Sequence, residues 1–175
     1  MKRLAIFAIA LAFVASACTS DSPSSPSSQP KPTFSALMAT SNENPPITGA
    51  EASGSGNSTM TFNITRDTSG NITAAKVTFV VNLSGFPPGT PIRIAHIHNG
   101  AASVNGPVVI DTSLTPGDGL TLSNGSGSFT KVVDVPSTSF GIVNQILANP
   151  AAFYFNAHTL VNPGGVARGQ LDRVQ

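Results

Sequence analysis

The chain carries a single cysteine, Cys18, in 175 residues. That excludes an intrachain disulfide framework and any zinc cluster built on thiolates. Tryptophan is absent, tyrosine occurs once, and charged residues make up only 10%. With few Lys or Arg and no run of them, nothing marks a basic face for nucleic acid. Glutamate occurs twice, as Glu43 and Glu51. No apolar run reaches the roughly 18–20 residues of a membrane-spanning helix. No segment repeats at a fixed period, which argues against solenoids and propellers. There is no Gly-x-Ser-x-Gly elbow, no His-Glu-x-x-His helix and no evident nucleophile–base pair, so no catalytic residue is assigned. Only three histidines are present, which leaves little room for a separate acid–base site.

What is present divides the chain into three parts. Lys2 and Arg3 precede an apolar run over residues 4–14, and Ala15-Ser16-Ala17-Cys18 follows. This resembles a bacterial lipoprotein signal, which implies cleavage before Cys18 and lipid on its thiol. Ala15 stands where such signals usually carry Leu. An ordinary secretory signal that leaves a free thiol is the alternative. Removing Lys2 and Arg3 leaves seven basic residues against eight acidic ones, so the mature chain has net charge −1 where the precursor has +1. Thr19 after the Cys, with no Asp beside it, favours the outer membrane or cell surface over inner-membrane retention. Residues 19–32 are Ser- and Pro-rich and cannot form a core. At about 3 Å per residue they make a tether with a reach of roughly 40 Å.

Residues 33–173 read as one all-β domain. Residues 34–39 form a first strand, and Asn42-Glu43-Asn44-Pro45-Pro46 must leave the sheet because its prolines cannot serve an interior ladder. Residues 49–57 suggest a second strand with a bulge or loose turn. In 58–64, Met60, Phe62 and Ile64 alternate inward. Asp67-Thr68-Ser69-Gly70-Asn71 is a hairpin turn. Residues 72–83 form the clearest strand, with Val77, Phe79, Val81 and Leu83 on one face and Val80 implying partial cover on the other. Further strands are expected at 92–98, 108–110, 153–159 and 166–171, with 120–122 paired to 128–135. One stretch breaks the pattern: Phe140, Val143 and Leu147, with Ile142 and Ile146, stand at helical spacing over 138–148, and Ser137 is placed to cap them. Seven or eight short strands and one brief helix predict a Greek-key β-sandwich or small barrel.

The chemistry concentrates in His96-Ile97-His98-Asn99-Gly100. On a strand, both imidazoles share a face and Ile97 takes the other. Two such rings can converge on one copper or zinc ion, and His158 is the third ligand that would complete the set. Asn156 and Tyr154, on the His158 face of their strand, are candidate donors to orient a ring. The alternative is that His96 and His98 are structural and pin the loop over 99–106. Glu43 is a candidate fourth ligand, an acceptor for His or Arg168, or a surface residue. Arg168 is expected to clamp a carboxylate or backbone carbonyls of the 42–46 loop.

Three blocks then resemble one family. Phe34-Ser35-Ala36-Leu37 with Asn42-Glu43-Asn44-Pro45-Pro46 is similar to the opening of the CHRD (chordin-like) domain. His96-Ile97-His98-Asn99-Gly100-Ala101-Ala102 with Asn105-Gly106-Pro107-Val108-Val109 resembles its central block. Phe153-Tyr154-Phe155-Asn156-Ala157-His158-Thr159 with Asn162-Pro163-Gly164-Gly165-Val166-Ala167-Arg168-Gly169-Gln170-Leu171 resembles its closing block. The resemblance implies an extracellular or exported β domain and brings no settled activity with it. His-x-His in a β-sandwich is also distantly similar to copper/zinc superoxide dismutase, where such a pair binds copper. That family's bridging histidine, Asp/His zinc cluster and disulfide have no counterpart here. The leading expectation is an envelope lipoprotein with a non-enzymatic binding or structural domain. The alternative is a copper- or zinc-binding, redox-active protein using His96, His98 and His158. Apart from the membrane at Cys18, no partner or oligomeric state is assigned.

Overall fold

A computed structural model describes residues 30–118 and 120–175. The signal segment, Cys18 and nearly all of the tether lie outside the described residues. No helix among those described is long and apolar enough to cross a membrane.

The strands are β1 (Thr33–Ala39), β2 (Ser55–Arg66), β3 (Ile72–Ser84), β4 (Thr90–Asn99), β5 (Val108–Asp111), β6 (Thr121–Leu122), β7 (Gly127–Asp134), β8 (Phe153–Thr159), β9 (Ala167–Gln170) and β10 (Asp172–Arg173). The one α-helix is α1 (Phe140–Ala148). Eight strands form an antiparallel path in the order β5-β4-β8-β9-β1-β2-β3-β7, with β6 attached to β4 and β10 to β1. The two ends of the path, β5 and β7, line one cleft of about 340 Å³. The sheet therefore curls into a nearly closed barrel. Strands β4 and β8 pair with each other but are far apart in sequence, as expected of Greek-key connections.

Alternation drives the curl. β2 and β3 are long and turn Met60, Phe62, Val77, Phe79, Val81 and Leu83 inward, all buried. Phe34 meets Phe62 edge-on at 5.5 Å, and Phe79 meets Phe155 at 5.9 Å, so aromatic rings from both sides of the barrel fill its axis. Fully burying each such side chain contributes about 1.5–3 kcal/mol. Val143 and Ile146 of α1 seal one end.

Several expectations give way to tertiary structure. Residues 49–57 and 58–64 are not two strands: β2 runs unbroken from Ser55, after a turn at 50–53. Val80 stays exposed, at 41%, on the outer side of β3. Residues 120–122 and 128–135 do not pair with each other. β6 joins β4 through Leu122 and Thr90, whereas β7 joins β3. Gly125 supplies the break, with φ at +72° and its carbonyl accepting from Phe86 N–H. Ser137 does not cap α1. It begins a short 3₁₀ turn, and the helix starts only at Phe140.

One irregularity positions the site. In β4 the register with β8 shifts between Ile92 and Ile94. The bulge puts Ile92 on the core side together with Ala95 and Ile97, although strict alternation would place Ile92 with His96. The histidines face outward as a result.

Candidate functional site

The outer face of β4, β8 and β9 is largely buried, as well as the inner one. Every residue of β8 is buried. Phe153, Phe155 and Ala157 face the apolar core, and Tyr154, Asn156 and His158 face out beneath three loops: 40–54, 99–107 and 160–166. Cross-strand partners make rows on this face. Asp111, His96, Asn156, Arg168 and Ala39 form one row across five strands. His98, Tyr154 and Gln170 form the next.

The three histidines meet. One ring nitrogen from each of His96, His98 and His158 lies within 4.8 Å of the others, and all three residues are buried. Hydrogen bonding assigns their protons. His98 Nδ1 lies 2.9 Å from the Gly106 carbonyl and His158 Nδ1 lies 2.9 Å from the Pro163 carbonyl. A carbonyl only accepts, so both Nδ1 atoms carry the proton and both Nε2 atoms present lone pairs. His96 Nδ1 then donates to His158 Nε2 at 3.3 Å. His98 Nε2 is buried and has no partner.

All three rings are held neutral. Burial pushes His96 down to about 4, and the neighbouring His158 and His98 push the same way against the pull of Asp111. Burial also lowers His98, opposed by its bond to Gly106, and lowers His158, opposed by its bond to Pro163. Neutral imidazoles whose outer N–H groups are tied to carbonyls are the form in which histidine binds metal. Two nitrogens on one tetrahedral ion, each about 2.0–2.1 Å from it, stand about 3.3–3.4 Å apart. The His96–His158 separation matches that spacing, and the lone pair of His98 Nε2 is the kind of buried atom a cation satisfies. The donor set fits copper or zinc.

The other candidates fall differently from expectation. Arg168 is 1% exposed and is a clamp, but on the loop after β4, not on residues 42–46. It donates to Asn105 Oδ1 and to the carbonyls of Ala101 and Val104 at 3.1–3.2 Å. Its guanidinium lies 3.5 Å from the centre of the Tyr154 ring, and that ring stacks on His98 at 4.7 Å. The 42–46 loop is instead tied by Asn42 to the Arg168 carbonyl and by Asn44 to Ser103 and Asn105. Glu43 is not on the surface. It is buried and lies outside the three-histidine group. Burial raises its carboxyl to about 7, against the charge of Arg168 and a hydrogen bond from Asn156. Asn156 thus gives its amide N–H to Glu43, and its buried Oδ1 has no partner. Gly165, with φ at +135°, closes over this pair. A Cβ there would clash with Asn156 Nδ2 and lie 3.0 Å from both Glu43 oxygens.

Glu51 and Asp111 were not singled out by sequence reasoning. Glu51 is 4% exposed and accepts from Thr159 Oγ1 at 2.8 Å and Asn162 Nδ2 at 2.6 Å, which fixes the turn after His158. Its signal was rarity: it is one of two glutamates in the chain. Asp111 had no signal, because its place beside His96 depends on strand register.

Taken together, a nearly closed antiparallel barrel carries a second, polar packing layer on one flank, with three convergent imidazoles inside it. A family model for the CHRD domain matches residues 34–171, and the chain belongs to that family. Comparison with curated proteins and with solved structures finds no match.

Proposed function

We propose that this chain is an exported lipoprotein of the bacterial cell envelope, anchored through Cys18, whose CHRD domain binds a ligand without transforming it. The ligand is a copper or zinc ion held by His96, His98 and His158. The observation that carries this reading is the 3.3 Å approach of His96 Nδ1 to His158 Nε2, with the bare, unpartnered Nε2 of His98 in the same group. The binding role is supported by where the neighbouring polar groups are committed. Arg168, Glu51 and Tyr154 bond to loops and turns, so they serve as scaffold around the rings. Anchorage is supported by Ala15-Ser16-Ala17-Cys18 and the Pro-rich stretch after it, with the outer membrane or cell surface as the favoured place.

The experiment is metal analysis of the purified full chain after copper or zinc loading, beside His98→Ala. We expect about one equivalent in the native chain and loss of most of it in the variant, since two imidazoles make a far weaker site than three. If native and variant both emerge without metal, the metal reading fails. Lipidation is checked separately: labelled fatty acid should enter the native chain and not Cys18→Ala.

A further inference from the structure

Two rings of the cluster have a partner on their outer side, the Gly106 carbonyl for His98 and the Pro163 carbonyl for His158. His96 is the exception, because its Nδ1 points inward at His158 Nε2. For Nδ1 to bind a metal, its proton must move to Nε2, and that N–H needs an acceptor beyond the ring. Asn156, the neighbour of His96 on β8, gives its amide N–H to Glu43 and keeps a buried, unpartnered Oδ1, a neutral acceptor and so a weaker one than a carboxylate. The neighbour on the other side is Asp111 of β5. It is the direct cross-strand partner of His96 in an antiparallel pair, hence on the same face with Cβ atoms about 4.5–5.5 Å apart. Ser113 N–H donates to Asp111 Oδ1 at 2.7 Å, which orients the carboxylate and leaves its second oxygen for another donor. The charge of Asp111 also acts on His96, pulling its pKa up against burial.

We propose that Asp111 is the outer partner of the metal site, accepting the Nε2–H of His96 when Nδ1 takes the ion. This rests on the metal reading above. Asp111 is a positioning residue and not a ligand. It completes a set in which every ligating ring is held from behind, two by carbonyls and one by a carboxylate. Metal binding moves the His96 proton from Nδ1 to Nε2, so no proton need leave the protein and the hydrogen bond to His158 is replaced by the one to Asp111. The carboxylate also makes the His96 ring a better donor to the ion and sets a negative charge beside it.

Asp111→Asn is a clean probe. Asp111 is exposed at the end of a four-residue edge strand, and asparagine keeps an oxygen for Ser113 N–H. Zinc affinity of the full chain is measured by competition with a chromophoric chelator, and the protonated nitrogen of His96 is read from two-bond proton–nitrogen correlation spectra. The expected result is zinc affinity about 10–100-fold weaker in Asp111→Asn, partial recovery in Asp111→Glu, and an unchanged Tm without zinc. In the native chain the His96 proton should pass from Nδ1 to Nε2 on zinc addition. Native protein that binds zinc while Asp111→Asn binds it equally well overturns the role of Asp111 and leaves the metal reading standing. Native protein that binds no zinc overturns the role of Asp111, and native protein that binds neither zinc nor copper removes the metal reading as well. Should Asp111→Asn fail to fold, the native spectrum decides alone: a His96 proton that stays on Nδ1 in the zinc complex overturns the proposal.

Discussion

Phe155 and Asn156 are neighbours on β8, both buried, and they sit in different media. Phe155 packs against Phe79 across the barrel axis. Asn156 lies under Gly165, between His96 and Arg168 in its row, with its amide on Glu43. The inner face is held by contact area, which has no direction, so any side chains of suitable volume fill it. The outer face is held by hydrogen bonds, and each buried polar group there must find its own partner. Among the described residues, four buried side-chain atoms lack one, and three of them, Glu43 Oε1, His98 Nε2 and Asn156 Oδ1, belong to the outer layer. Apolar packing and polar hydrogen bonding are thereby separated across the thickness of one strand.

That comparison can be broken in three ways. The largest effect is expected inside. Phe155→Ala should cost about 3–5 kcal/mol by denaturant unfolding, the usual price of an aromatic cavity. A loss under about 1 kcal/mol would mean that the barrel axis is not the main source of stability.

In the outer layer, Arg168→Lys should cost less, about 1.5–3 kcal/mol, because an ammonium cannot fork to Asn105, Ala101 and Val104 together. Its signature is local. Amide hydrogen exchange should speed up across residues 100–106 and stay unchanged in β2 and β3. Uniform acceleration would show that the two layers unfold as one unit.

The smallest effect, and the sharpest in sign, is pH. The three histidines have folded-state pKa values below their ordinary 6.5, His96 at about 4. The unfolded chain therefore takes up protons first as pH falls, and their contribution is intact above 6.5 and lost between 6.5 and about 4. Glu43 runs the other way. Its carboxyl is raised from 4.5 to about 7, so its contribution is intact below 4.5 and lost as pH rises through 7. Tm should climb from pH 4 to 6.5 and then flatten or dip slightly towards 7.5. Glu43→Gln, which cannot ionise, should remove the dip and steepen the climb. A native Tm that falls from pH 4 to 6.5 would show that the outer layer is not dry.

The inner face was largely legible. Val77, Phe79, Val81 and Leu83 alternate without interruption, and alternation is what a half-buried strand requires. The helix was legible from Val143 and Ile146 at helical spacing, although its start was misplaced because a 3₁₀ turn absorbs Ser137. The pairing of 120–122 was not legible, since two adjacent short strands look like a hairpin whether or not they bond to each other. In the outer layer, His96 and His98 were readable as a pair because period two needs only neighbours in sequence. Arg168 was readable as a clamp, but its target was not, because residues 101–105 reach it only through folding. Glu43 looked like a loop residue, and it is buried where Gly165 closes over it, a contact made only by folding.

By itself the sequence determined an all-β domain of this family, the inward faces of its long strands, and two imidazoles on one side of β4. These follow from composition, alternation and short motifs, all local properties of the chain. Tertiary structure alone decided that His158 arrives beside them, that Asp111 stands behind His96, and that a second buried layer exists at all. The reason is physical: those contacts join residues 15 to 111 positions apart through register, a bulge and loop closure, and no local pattern encodes their meeting.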